Sequence, residues 1–106
     1  MKNKSYDDTQ KCLARLETWF ASMCNGDWEH TYGIMLETLD NPGWMLTVEL
    51  QDTPLVDRSF DTLRESESES DWLHCSVSEG VFRGSGGLGR LQQILTIFLD
   101  WAETSC

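Results

Sequence analysis

The stretch "TYGIMLETLDNPGWMLTVEL" (residues 31–50) decides the fold, because two runs of alternating side chains flank a turn. Apolar residues take every second position of both runs: Tyr32, Ile34, Leu36, Trp44, Leu46, Val48 and Leu50. A period of two is typical of β-strands with one buried face. Between the runs, Asp40-Asn41-Pro42-Gly43 predicts a turn, since proline presets φ and glycine tolerates a positive φ. The stretch therefore predicts an antiparallel hairpin.

Amphipathic helices are predicted near both ends of the chain. From Asp7 to Cys24, apolar residues recur at steps of three and four: Cys12, Leu13, Leu16, Trp19, Phe20 and Met23. A similar stripe ends near Trp101 and contains Leu88, Leu91, Ile94, Leu95, Phe98, Leu99 and Ala102. One apolar stripe on each helix predicts that both helices pack on one face of the sheet.

Two further strands and a loop are predicted between the hairpin and the second helix. A short strand is expected near Leu55–Phe60, and a longer one at Trp72–Ser78, followed by a turn or bulge at Glu79-Gly80. The segment "DTLRESESESD" (residues 61–71) has five acids, one arginine and no apolar period, which predicts a solvated, mobile loop. We therefore expect one α+β domain over residues 1–106, with an antiparallel sheet of about four strands and two helices packed on it.

Composition narrows the choice of partner. Eighteen acids and eight bases give a formal net charge of −10, which disfavours nucleic acid and anionic membranes and attracts basic partners. The alternative, that the acidity only keeps the protein soluble, has equal weight on composition alone. No apolar run approaches the ~20 residues of a membrane span, and the N-terminus lacks the apolar region of a secretory signal, so we expect a cytosolic protein.

Gly84, Gly86 and Gly89 fit the G-x-G-x-x-G fingerprint of dinucleotide-binding turns. The fingerprint also needs a second parallel strand and an acid about 20 residues later, and the predicted helix uses nearly all the residues that remain. A tight strand-to-helix connection, with glycines at positive φ or in close packing, is the preferred interpretation. An alternative is an anion site formed by the helix start with Arg83 and Arg90.

The cysteines are the other residues that could indicate an enzyme. His74 and Cys75 are adjacent, but neighbouring strand residues point to opposite faces, so they do not form a thiol–imidazole pair. A sulfurtransferase using Cys75 is kept as an alternative function. A zinc site built from Cys24, His30, His74 and Cys75 lacks the short ligand spacings of structural zinc sites. We expect no catalytic residues, cofactor or metal.

The five tryptophans divide by position. Trp19 and Trp44 are expected in the core, whereas Trp28, Trp72 and Trp101 lie at predicted element edges, where a ring can be half exposed. Trp72 is the best candidate for an interface anchor, because it adjoins the acidic segment and faces away from the apolar side of its strand.

The segment "CNGDWEHTYGIMLETLDNPGW" (residues 24–44) resembles the immunity protein 53 family of bacterial polymorphic toxin systems. "DWLHCSV", "FRGSGG" and "LQQILTIFLDW" follow in the family's order, so the resemblance spans roughly residues 12–101. The Glu-Ser run at 65–70 departs from the family pattern. The resemblance implies a protein without catalysis of its own that binds and neutralises a toxin domain encoded beside it.

A toxin-binding face follows from combining the resemblance with the charge. The expected toxin is basic, and nucleases are among the suitable classes. It is expected to bind an acidic face that is formed or bordered by Asp57, Asp61, Glu65, Glu67, Glu69, Asp71 and Trp72. The motif residues expected to hold the fold are Trp28, Glu29, Pro42, Gly43 and Trp44. Among the many carboxylates, Glu29 and Glu37 are the ones to inspect as a functional pair, and the plainer interpretation is that they are solvent-facing strand residues. The favoured oligomeric state is the monomer.

Overall fold

The computed structural model describes residues 4–103, with side chains from residue 11 onward. Its elements in chain order are α1 (Lys4–Met23), α2 (Trp28–Thr31), β1 (Ile34–Leu39), β2 (Gly43–Glu49), β3 (Leu63–Ser66), β4 (Trp72–Ser78), β5 (Val81–Gly86) and α3 (Leu91–Glu103). The strands form one antiparallel sheet, and the two long helices pack together. The predicted α+β single domain is confirmed.

The sheet has five strands in the order β1-β2-β5-β4-β3. The chain forms two hairpins, β1–β2 and β4–β5, and antiparallel pairing of β2 with β5 joins them. The last strand in sequence therefore lies at the centre of the sheet, directly before the helix that covers it. This placement makes the connection between β5 and α3 part of the middle of the fold.

Two predicted turns form, by different means. Glu79 and Gly80 both have positive φ, 53° and 76°, which is the conformation of the tight two-residue turn that joins β4 to β5. In the β1–β2 turn the Asn41–Pro42 peptide bond is cis, and Gly43 pairs with Leu39 as part of β2. Gly43 is not among the described glycines with positive φ, so that part of the prediction was wrong.

The core lies between one face of the sheet and the helices. Phe98 of α3 is in contact with Trp19 of α1 and with Phe82 of β5, with ring centroids 5.1 Å apart in both pairs. Leu46 and Val48 of β2 are fully buried beside them. Each such side chain stabilises the fold by about 1.5–3 kcal/mol through burial. The apolar stripes read from the sequence therefore form a common core.

The opposite face of the sheet has no helix packed on it among the described residues, and we call it the uncovered face. Alternation along the strands places on it Met35, Glu37, Met45, Thr47, Glu49, Arg64, Ser66, Trp72, His74, Ser76, Val81, Arg83 and Ser85. All of these residues are half-buried or exposed, whereas their chain neighbours on the other face of β2, β4 and β5 are mostly buried. This arrangement agrees with the expectation that both helices pack on one face of the sheet.

The segment between β2 and β4 differs from the prediction. No strand forms at 55–60, because Thr53 begins a series of turns: its hydroxyl bonds to the Leu50 carbonyl, and the Leu55 amide bonds to that hydroxyl. Within the predicted loop at 61–71, Leu63–Ser66 pairs with β4 and only the last five residues form a turn. The sheet consequently gains its fifth strand from a run whose single apolar residue, Leu63, gave no visible period.

Candidate functional site

Two turns lie at the same end of the sheet, on either side of the end of β5. Leu39 pairs with Gly43 beside the β1–β2 turn, and Ser66 pairs with Trp72 beside the β3–β4 turn. Both pairs lie at the level of Gly86, since Trp44 and Leu73 are its neighbours on the two sides. Asp40, Glu67 and Glu69 in these turns are exposed, and we call this group the acidic end.

The seven residues predicted for toxin binding do not all lie together. Glu67, Glu69, Asp71 and Trp72 lie at the acidic end, and Glu65 is one residue away on β3. Asp61 precedes the other end of β3, and Asp57 lies in the β2–β3 connection, next to an arginine that donates to the Trp101 carbonyl. The structure therefore separates Asp57 and Asp61 from the rest of the predicted set.

Arg90 binds two of the predicted acids. Its Nε donates to Asp71 at 2.8 Å and its Nη1 donates to Glu65 at 3.1 Å, and Nη1 also reaches Gln93. The hydrogen bond to Asp71 makes the largest contribution to raising the pKa of Arg90 above its ordinary value. Arg90 thus connects the start of α3 to the β3–β4 hairpin, and two of the six predicted acids serve an internal contact.

Glu67 and Glu69 are different, because their side chains have no partner among the described residues. Backbone bonds hold the turn instead: Glu67 N–H and Ser68 N–H both donate to the Asp71 carbonyl. The two carboxylates therefore project from an ordered turn and are available to an incoming group.

Trp72 is half-buried on the uncovered face at the first position of β4. A shallow depression beside it is lined by Arg64, Glu65, Ser66, Trp72, Leu73 and His74. Nε2 of His74 is buried there and has no hydrogen-bond partner among the described residues. An aromatic ring, an unpaired imidazole nitrogen and two free carboxylates therefore occur on one hairpin.

The other tryptophans make internal contacts. Trp28 is only 2 % exposed, and its Nε1 donates to the Gln51 carbonyl at 3.0 Å, so the half-exposed ring expected there was wrong. Trp44 is half-buried, and its Nε1 donates to the Leu88 carbonyl. Trp101 is half-buried against Phe60 and donates to the Ser59 carbonyl. Trp72 is left as the tryptophan whose ring lies on the uncovered face.

Glu29 lies in α2 and not in a strand, so the predicted strand position was wrong. Its carboxylate accepts the backbone N–H groups of Asn25 at 2.9 Å and Gly26 at 2.8 Å, closing the connection after α1. Hydrogen bonds from its own backbone N–H and from these two amides lower the pKa of Glu29 below its ordinary value. Glu37, by contrast, is an exposed strand residue on the uncovered face, as expected.

Two of the three glycines of the fingerprint pack closely against other residues. A Cβ on Gly84 would lie 2.7 Å from Ile94 of α3, and a Cβ on Gly86 would lie 2.8 Å from Cβ of Arg90. None of Gly84, Gly86 and Gly89 has positive φ, so close approach is the part of the interpretation that the structure supports. The two arginines of the alternative anion site do not converge, since Arg83 lies on the uncovered face and Arg90 is bound by carboxylates.

Cys75 lies on the helix side of β4 and is 0 % exposed, while His74 points to the uncovered face. Burial, with a smaller contribution from Glu65, raises the pKa of the Cys75 thiol to about 11. A nucleophilic cysteine needs the opposite shift. Among the described residues, no three His, Cys, Asp or Glu side chains are grouped as metal ligands would be.

Two parts of this surface could not be read from the sequence. The uncovered face depends on the strand order, which brings β1–β2 beside β5 and β4. Asp40 joins the acidic end for the same reason. The role of Arg90 could have been inferred from the sequence, because it is the one basic residue between the glycines and the last helix. If the acidic segment at 61–71 pairs with the sheet, its carboxylates lie close to an arginine at that position.

These features define a small α+β protein whose candidate site is an open surface. The model of the immunity protein 53 family matches residues 13–103, and the chain belongs to that family. The family resemblance seen in the sequence is confirmed, and membership implies an immunity protein of polymorphic toxin systems that neutralises a cognate toxin. Comparisons with curated proteins and with solved structures gave no match. Within residues 4–103, no helix combines the length and the apolar character needed to cross a membrane.

Proposed function

We propose that this protein is a non-catalytic immunity protein of the cytoplasm that binds a basic toxin domain through the acidic end and Trp72. The observation that carries the proposal is the β3–β4 hairpin, where a half-buried tryptophan on the uncovered face adjoins the unpartnered carboxylates of Glu67 and Glu69. Aromatic anchors beside charged groups are typical of tight protein interfaces.

The charged residues of the proposed surface have separate roles. Glu67, Glu69 and Asp40 contact the toxin, since they are exposed at the acidic end. Glu65 and Asp71 hold the hairpin against Arg90. Asp57 and Asp61 lie elsewhere and act through the overall negative field, which speeds encounter with a basic partner.

Two observations favour binding over catalysis. The thiol of Cys75 is buried, and its pKa of about 11 keeps it protonated at neutral pH. The candidate surface is shallow, whereas enzyme active sites are concave and enclose their substrates. Inhibition by occlusion needs only a surface that fits the toxin.

The electrostatic part is tested by measuring association with the toxin domain encoded beside this chain, in a catalytically inactive form. The variant Glu67→Gln/Glu69→Gln is expected to associate roughly tenfold more slowly than the wild type at low salt, with a weaker salt dependence. The reason is that the two charges nearest the contact have been removed.

The matched control is Glu17→Gln/Glu79→Gln, which changes the net charge by the same amount. Glu79 follows the end of β4 and Glu67 precedes its start, so the control charge at Glu79 lies at the opposite end of the sheet. Equal slowing in both double variants would mean that net charge alone steers the toxin, and that the acidic end is not the contact.

A further inference from the structure

One edge of the sheet is formed by β1, which within residues 4–103 pairs only with β2. Just before β1, the Glu49 N–H donates to the Gly33 carbonyl at 3.1 Å. Hydrogen-bonded and non-hydrogen-bonded pairs alternate along an antiparallel ladder. Ile34, Leu36 and Thr38 therefore direct their backbone N–H and C=O groups away from β2, and these groups have no partner among the described residues.

This edge has almost none of the usual protection against pairing. Met35 is 56 % exposed on the uncovered face, and Leu36 is 47 % exposed on the other face. Natural edge strands are guarded by lysine, proline, bulges or a covering element. The β1 sequence, IMLETL, has one charged residue, Glu37, and no proline or lysine. The other edge strand, β3, has only four residues and contains Arg64 and Glu65.

We propose that the β1 edge pairs with the β1 edge of a second copy of this chain, giving a dimer with a continuous sheet. The outward-bonding residues are self-complementary, because Ile34 and Thr38 lie symmetrically on either side of Leu36. With a two-fold axis at Leu36, Ile34 faces Thr38 of the second copy, and each of the three outward pairs exchanges two main-chain hydrogen bonds.

The side chains fit the same register. On the helix side, the exposed Leu36 packs against Leu36 of the second copy, so both lose contact with water. On the uncovered face, Met35 lies opposite Glu37 of the second copy, and the two Glu37 carboxylates are offset along the strands. Like charges directly opposite each other would destabilise the pair, and this register avoids that.

The dimer leaves Glu67, Glu69 and Trp72 open to the toxin, because β1 and β3 are opposite edges of the sheet, whereas Asp40 in the β1–β2 turn lies beside the dimer contact. It departs from the monomer that the sequence favours. Each copy carries a formal charge of −10, so the two copies repel each other at low ionic strength. Salt screens this repulsion and is expected to tighten the dimer, whereas it weakens a complex between an acidic protein and a basic toxin.

Sedimentation velocity on the isolated protein tests the proposal. Between about 1 and 200 µM the mass is expected to rise from the monomer value of 12.1 kDa toward twice that value, at a lower concentration in about 0.5 M than in about 0.05 M NaCl. Leu36→Lys is expected to weaken the dimer at least tenfold, because a lysine would face a lysine across the axis.

The control is Leu88→Lys, which makes the same charge change at a leucine that is 62 % exposed in the β5–α3 connection. This variant is expected to dimerise like the wild type. Hydrogen exchange gives the position directly: the Leu36 and Thr38 amides should be protected only at concentrations where the dimer forms. Since the wild type alone supplies both readouts, a variant that fails to fold does not prevent the test.

A monomeric wild type at every concentration and salt would overturn the proposal. So would a dimer that Leu36→Lys leaves intact, because another surface would then be responsible. If the wild type is monomeric and Leu36→Lys abolishes toxin binding, the edge receives a strand of the toxin and not a second copy. The proposed role of Glu67 and Glu69 is measured separately, by the association of Glu67→Gln/Glu69→Gln with the toxin domain.

Discussion

Gly43 shows how a single missing side chain fixes the junction of two hairpins. A Cβ at this position would lie 2.3 Å from the Gly86 carbonyl oxygen, which is backbone and cannot rotate away. Gly43→Ala is therefore expected to lower the free energy of unfolding by about 2–4 kcal/mol, measured by urea denaturation.

Gly89→Ala is the matched control, because a Cβ there meets nothing within 4 Å and its φ is not positive. It is expected to be neutral or to stabilise by about 0.4–1 kcal/mol. A tolerated alanine at Gly43 would show that the close approach to Gly86 is not a constraint. An equal loss of unfolding free energy in Gly43→Ala and Gly89→Ala would also contradict the constraint, because Gly89 has no such close contact.

Glu29 is expected to make stability depend on pH. Its pKa is lowered from the ordinary 4.5 in the folded protein, so its contribution is present above that value and is lost as the pH falls through the lower folded pKa. The thermal midpoint of Glu29→Gln should lie below that of the wild type at pH 7, and the difference should shrink in acid. Glu17→Gln, at an exposed position of α1, should show neither effect. A difference between Glu29→Gln and wild type that is constant across the pH range would contradict the carboxylate's role as acceptor.

The β3–β4 hairpin is the element whose order depends on a contact outside itself. Arg90 holds it through Glu65 and Asp71, and β3 is otherwise a four-residue edge strand. Arg90→Met is expected to lower the thermal midpoint and to speed hydrogen exchange in residues 63–73. Arg64→Met provides the comparison, because Arg64 is an exposed arginine on β3 itself without a partner among the described residues. Unchanged exchange in Arg90→Met would mean that backbone pairing alone orders the hairpin.

The elements that the sequence predicts well are those with their own period. Alternation revealed β1, β2 and β4, and the apolar stripes revealed α1 and α3. In contrast, β3 is a strand because β4 offers it a partner and Arg90 binds its Glu65, and neither contact leaves a period in the β3 sequence itself. The strand expected at 55–60 failed for a local reason, since the Thr53 hydroxyl competes for backbone groups and turns the chain.

At the scale of the whole molecule, the apolar core and the proposed binding surface lie in different parts of the fold. The helices and the buried face of the sheet form the core, and the opposite face has no helix among the described residues. Trp72 as a candidate anchor could be predicted from its alternation with Leu73. The acidic end could not be predicted, because it depends on two turns that the strand order places at the same end of the sheet, on either side of β5.

The central claim is that this immunity protein binds its cognate toxin through Trp72 and the acidic end. The most direct measurement is isothermal titration of the wild type and Trp72→Ala with the inactive toxin domain encoded beside it. We expect a complex of one toxin domain per chain that weakens with salt, and a loss of about 2 kcal/mol or more of binding free energy in the variant, which retains its fold. Absence of a complex with a domain that stays toxic in cells, or equal affinities for both proteins, would contradict the claim.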